Sequence, residues 1–188
     1  MGMLFQSILQ GAMPKKRKDF KEKVRTDHPI HLEILTEMVD VELGTHESQE
    51  FDIALESFEK GPVLKVERGQ DRLRIIAKRE SAASSIVFWG DLPLKLQIKV
   101  PQGSVESLFL SGVSSDVHVG SIKTGPIKIS TISGDIDLES TKADTIQLSS
   151  KSGDIKVRMV YFQHLKMETA SGDGNGEDLV GDLEVSTA

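Results

Sequence analysis

The chain has 188 residues, 28% of them charged and 38% hydrophobic, with a single tryptophan, a single tyrosine and a formal net charge of −6. That length suits one well-cored domain with a short leader rather than two large domains. There is no cysteine, which excludes disulfides, thiolate metal sites and a thiol nucleophile.

The opening stretch, MGMLFQSILQGAM, carries no charged side chain, whereas Pro14 to Arg25 holds seven basic residues against Asp19 and Glu22. The local balance of +5 leaves −11 for the chain from Thr26 onward. So acidic a body argues against a nucleic-acid partner, which is held by neutralising phosphates with Lys and Arg. The apolar stretch falls short of the ~20 residues that a membrane-spanning helix needs. Apolar before basic also reverses the order of a secretory signal, and Gln6 stands where a myristoylation motif requires Ser or Thr. Leu4, Phe5, Ile8, Leu9 and Ala12 share one helical face ahead of the basic run, so contact with a membrane surface through residues 1–25 is one expectation. Residues 1–26 read as a flexible or helical leader, and 27–188 as the folded domain. With neither signal nor spanning helix legible, a cell-envelope and a cytoplasmic location both stay open.

From His28 to Val100 apolar and polar residues alternate with period two in IHLEI, VDVEL, FDIAL, LKVER, RLRII and LPLKLQIKV, the pattern of half-buried strands. ERGQDR and GTHESQE sit between such segments like hairpin loops, which predicts antiparallel ribbons in this half. Trp89, in IVFWGDLP, reads as a packed residue beside a turn. His28 and His31 form H-x-x-H, but on a strand that spacing turns them to opposite faces. His46, His118 and His164 have no partner at metal-ligand spacing.

The second half is a repeat. Asp116, Asp135, Asp154 and Asp173 recur at one constant interval, the last three inside S-G-D phrases with Gly134, Gly153 and Gly172. Each row places an apolar alternation before the phrase (Leu108-x-Leu110, Ile127-x-Ile129, Ile146-x-Leu148, Leu165-x-Met167), and the first three place another after it. Strand pairs so short cannot bury an apolar face alone, so the rows are expected to stack as coils with equivalent strands parallel, ~4.8 Å apart. The inward columns are then Leu108, Ile127, Ile146, Leu165; Leu110, Ile129, Leu148, Met167; Val117, Ile136, Ile155; and Val119, Leu138, Val157. The aspartates and glycines form a structural turn ladder: glycine supplies a backbone conformation, and Ser and Asp bond nearby main chain.

In the fourth row Gly174 and Gly176 replace the β-branched residues, predicting a lost or bulged strand there. A fifth row starts one residue early at Leu183-x-Val185, so the domain reads as cut through in mid-repeat at its C-terminal end. Such an edge is expected either to continue into another coil or to pair with a second copy. The stretch DGNGED offers Asp173, Asn175, Asp178 and Asp182 as weak calcium candidates; Ser171 stands where an EF-hand begins with Asp.

Alternating strands, then LPLKLQIKVPQGSVESLFL, then reiterated S-G-D-I-x-L phrases resemble the bacterial putative-adhesin, DUF4097-type β-solenoid proteins over about Pro29 to Ala188. The resemblance implies an all-β solenoid and an envelope setting, and brings no catalytic residues with it. The fold expected is therefore all-β: a single-stranded parallel β-helix of about 19-residue coils in the C-terminal half, with more antiparallel strands before it. The expected function is a non-enzymatic binding module of the bacterial cell envelope that meets a protein or glycan through a repetitive polar face. No cofactor or catalytic residue is expected. A carbohydrate-active enzyme on a β-helix, with stacked carboxylates as acid and base, is one alternative. A membrane-stress sensor using the basic leader is another.

Overall fold

The computed structural model describes residues 16–80 and 94–187, and among these every regular element is a strand. The apolar leader and Trp89 lie outside the described residues. Fourteen strands, β1 (Phe20–Arg25) to β14 (Gly174–Thr187), join in one sheet that wraps around a single core.

The repeat sets the register. β8 (Val105–Ser114), β10 (Ile127–Ser133), β12 (Thr145–Ser152) and the second half of β13 (Ile155–Thr169) pair in parallel on one face, Leu108 beside Ile127 beside Ile146 beside Leu165. On the next face β9 (Val117–Gly120), β11 (Ile136–Glu139) and the first half of β13 align Val117, Ile136 and Ile155. All four expected columns are buried, at 2% exposure or less. Ser121, Ser140, Met159 and Asp178, one in each coil, turn the chain out of the second face with φ between 51° and 54°.

Two further coils precede these, out of sequence order. β2 (Ile30–Thr36) and β3 (Asp40–His46) pair in parallel with β8 and β9, setting Leu32 and Ile34 beside Leu108 and Leu110. β6 (Arg72–Lys78) and β7 (Lys95–Pro101) then pair in parallel with the far sides of β2 and β3. The earliest coil is thus sandwiched between two later ones, each of which extends its columns by a pair of aliphatic residues.

The antiparallel pairs fall in the N-terminal half: β5 (Val63–Arg68) with β6, β4 (Glu50–Glu56) with β7, and β1 with β4. ERGQDR does close a hairpin, the Gly69 N–H donating to Arg72 O at 2.8 Å. GTHESQE does not. β7 lies between β3 and β4, where Leu96, Ile98 and Val100 are all buried, and that burial outweighs a local ribbon.

Two more expectations are corrected. Phe20–Arg25, assigned to the leader, forms β1: Val24 is buried and Phe20 packs against the core, an alternation masked by Lys21, Lys23 and Arg25 on the other face. The fourth coil keeps its strand through Gly174 and Gly176, which pair with Ile155 and Val157. A Cβ at Gly176 would meet Leu179 Cδ1 at 2.5 Å, so Leu179 fills the space that the glycine vacates. The irregularity lies further on, where Phe162 and Gln163 of β13 together oppose Gly181. That bulge absorbs one residue, which is why Leu183 and Val185 arrive one position early relative to Leu165 and Met167.

Candidate functional site

The S-G-D turns stack into a hydrogen-bonded ladder. Each carboxylate accepts the N–H of the next aspartate along the axis: Asp40 from Asp116 at 3.1 Å, Asp116 from Asp135 at 2.9 Å, Asp135 from Asp154 at 2.8 Å and Asp154 from Asp173 at 2.9 Å. The glycines answer a different need. A Cβ at Gly153 would stand 2.1 Å from Gly134 O, and one at Gly172 2.3 Å from Gly153 O. Successive turns therefore approach too closely for any side chain.

A column of buried hydroxyls completes each turn. Ser150 Oγ donates to Gly134 O and Thr169 Oγ1 to Gly153 O, both at 3.1 Å. In the first row the roles are exchanged. Gly112 takes the hydroxyl position and Ser115 the glycine position, and Ser115 Oγ bonds Thr36 Oγ1 at 3.1 Å. The row that departs from S-G-D thus keeps one small residue and one buried hydroxyl at the turn, with the hydroxyl bonded to a side chain instead of a carbonyl.

If the aspartates serve the turn as acceptors, Asp154→Asn should leave the melting temperature unchanged or raised, since it keeps an oxygen for the Asp173 N–H and removes one of five stacked charges. Asp154→Ala, which gives that N–H to water, should lose about 1 kcal/mol in urea unfolding. A larger loss for Asn than for Ala would show that the charge matters more than the acceptor.

Outside the ladder, the outer face of β7, β3, β9, β11 and β13 carries two columns of side chains. One runs Gln97, Glu42, His118, Asp137, Lys156 and the other Lys99, Gly44, Gly120, Glu139, Arg158. Gly44 and Gly120 leave a gap in the second column, a trough of about 380 Å³ floored by main chain and lined by Glu42, Gln97, Lys99, His118, Thr45 and Ser121. A second depression, about 520 Å³, shares Glu42 and His118 and continues beside Asp116, Asp135, Asp137 and Lys156. The two depressions adjoin at Glu42 and His118 across the strands.

Three acids of this face are paired with cations. Arg158 Nη2 lies 2.9 Å from Asp137 and 3.4 Å from Glu139, and the Asp137 hydrogen bond followed by both charges raises the Arg158 pKa further above its ordinary value. A hydrogen bond from Lys95 holds the Glu42 carboxyl below the usual carboxylate range. Whatever stability that pairing contributes is present above the usual range and is lost as pH falls through the lowered value.

Asp173, Asp178 and Asp182 are not brought together: Asp173 lies in the ladder, Asp178 at the corner after the second face, and Asp182 3.7 Å from His164 Nδ1. Among the described residues no group of three or more His, Cys, Asp or Glu could hold a metal ion. Nor do the histidines of H-x-x-H meet. His28 Nε2–H donates to Gln70 O at 3.1 Å, while His31 Nδ1 bonds Ser107 Oγ at 2.8 Å. His46 Nε2–H donates to Glu50 O at 2.7 Å, and His118 lies 3.4 Å from Asp137. Among the described residues no helix is long and apolar enough to cross a membrane.

Two features escaped the sequence reading. Asp40 heads the ladder, and MVDVEL keeps the aspartate and the leucine of SGDIDL with conservative changes at Val41 and Glu42, while Met38 and Val39 replace the serine and glycine, so a pattern anchored on the aspartate alone would have found it. The trough had no such signal, because Gly44 and Gly120 become neighbours only once β3 pairs with β9 out of sequence order.

No curated protein matches the chain. The fold is similar to that of a putative cell adhesion protein from Clostridium sporogenes, at 12% identity and a TM-score of 0.60 over 92% of this chain and 100% of the other. A putative adhesin from Bacteroides fragilis aligns with 92% of this chain and 98% of its own at 12% identity and a TM-score of 0.40. A putative lipid binding protein from Parabacteroides distasonis aligns with 91% and 97% at 12% identity and a TM-score of 0.33. The model of the Toastrack DUF4097 family matches residues 30–188, from the first strand of the sandwiched coil onward, and the chain belongs to that family.

Proposed function

We propose that the chain is a non-enzymatic binding scaffold of the bacterial cell envelope, and that the outer face of β3, β9, β11 and β13 holds a protein or glycan partner. The glycine-floored trough carries this reading. On a sheet face otherwise covered by long charged side chains, two adjacent strands leave main chain accessible between Lys99 and Glu139, a place for a polar ligand to lie flat. Acid–base chemistry fits less well, because Asp137, Glu139 and Glu42 each sit against a cation. The setting follows the resemblance of the repeat, and a solenoid of similar fold bears the name of a putative cell adhesion protein.

The trough can be filled without disturbing the fold. A Cβ at Gly120 would meet nothing nearer than His118 Nε2 at 3.5 Å, and one at Gly44 nothing nearer than Gly120 O at 3.9 Å. Partners captured from envelope extract and from a glycan array by the full chain should be lost from Gly44→Leu and Gly120→Leu, with the melting temperature unchanged. They should be retained by Lys128→Ser, on the first face. Equal capture by all of these proteins would place binding elsewhere, and release of reducing sugar from a retained glycan would favour the enzyme.

A further inference from the structure

β14 and β1 each have a strand on one side only, β13 and β4 respectively. Their charges are opposite. β14 carries Glu177, Asp178, Asp182 and Glu184 with no Lys or Arg, whereas β1 carries Lys21, Lys23 and Arg25 against Glu22. The strand directions agree as well. β1 is antiparallel to β4, β4 antiparallel to β7, and every step from β7 through β3, β9, β11 and β13 to β14 is parallel. β1 and the first half of β14 therefore run the same way at opposite ends of one face.

The faces match too. In β1 the cations project outward and Val24 inward; in β14 Glu177 is exposed while Leu179 packs against the core. Val180, Leu183 and Val185 are 57%, 50% and 48% exposed along β14, so the edge combines unpaired main chain, acidic groups and uncovered aliphatic surface. A strand that covers it should be basic on one face and apolar on the other.

We propose that β14 of one copy pairs in parallel with β1 of a second copy, so that copies stack head to tail along the solenoid axis. A two-fold pairing of C-terminal edges is disfavoured, because antiparallel β14 strands would bring four acids against four. A head-to-tail contact uses two different surfaces and does not close, so assembly continues past the dimer.

Sedimentation velocity of the full chain tests this. Species larger than a dimer should grow with concentration at low ionic strength and recede at high salt, as exposed charges are screened. K21E/R25E and N175K/E177K, all at exposed positions and the latter two on the first half of β14, should each weaken assembly by about tenfold or more. Mixing the two variants should restore it, and so should combining all four substitutions in one chain. A monomer at every concentration, a dimer that grows no further, or assembly indifferent to K21E/R25E would overturn the proposal.

Discussion

Gly153→Ala is expected to destabilise the domain by about 3 kcal/mol or more, a large share of the ~5–15 kcal/mol available to a typical domain. The added methyl would stand 2.1 Å from Gly134 O and 2.6 Å from its carbonyl carbon, and also 3.0 Å from Ser150 Oγ. Both nearest atoms are main chain, so no rotamer change relieves the overlap. The turns would have to separate, and the carbonyl that must move is the one that accepts the Ser150 hydroxyl. Separation would also stretch the parallel pairs Ile136–Ile155 and Ile129–Leu148 on either side of the turn. Gly120→Ala is the matched control, since its new Cβ meets only His118 Nε2 at 3.5 Å. Melting temperatures should differ by about 6–12 °C between the two variants, at ~2–4 °C per kcal/mol for a chain of this size. Equal melting temperatures would mean that the phrase is selected for its hydrogen bonds rather than for close approach.

That contrast bears on what the repeat encodes. S-G-D recurs because a coil must turn while touching the coil before it: glycine permits the approach, aspartate ties the next main-chain N–H, and the residue after it enters the core. All three needs are local and arise once per coil, so they were legible as a phrase. The buried columns were legible for the same reason, since period-two alternation fixes which face each residue occupies. The Gly112/Ser115 exchange was not. Read singly, each residue breaks the pattern, and only their contact with Thr36 shows that one substitution compensates the other.

The N-terminal half was legible as strands but not as an arrangement. Alternation identifies a half-buried strand without naming its neighbour, and here the neighbours are remote. β2 lies between β6 and β8, and β3 between β7 and β9, so the coil formed first in the chain is interior to the stack. A repeat detector looks for adjacent copies and passes over a coil inserted from elsewhere. The candidate site inherits this limit, because its floor is made by Gly44 and Gly120, which are far apart in the chain. Composition misled at β1 for a simpler reason: a basic run reads as a solvated tail, although Val24 is buried and Phe20 packs against the core.

Ile136→Asp should unfold the domain outright. Ile136 is fully buried between Val117 and Ile155 in its column, so a carboxylate there meets aliphatic neighbours on both sides and no cation. Burying an unpaired carboxylate costs several kcal/mol even when it takes up a proton, and the lost aliphatic packing adds about 2 kcal/mol. The sum is comparable with the whole stability of a domain. Ile155→Asp should be slightly milder: one flank is Ile136, but the other is Gly174, where only Met167 and Val185 approach. On the same strand Lys156→Ser, at an exposed position, should leave the melting temperature within about 2 °C. Asp137→Ser is not a silent control, because it removes the partner of Arg158 on a half-buried face; a loss of about 1 kcal/mol is expected. Far-UV circular dichroism and thermal melts should therefore rank the four as Ile136→Asp, Ile155→Asp, Asp137→Ser and Lys156→Ser, from most to least harmful. A protein in which Lys156→Ser is as damaging as Ile155→Asp would have its inner and outer faces exchanged, and with them the column register that the S-G-D repeat imposes.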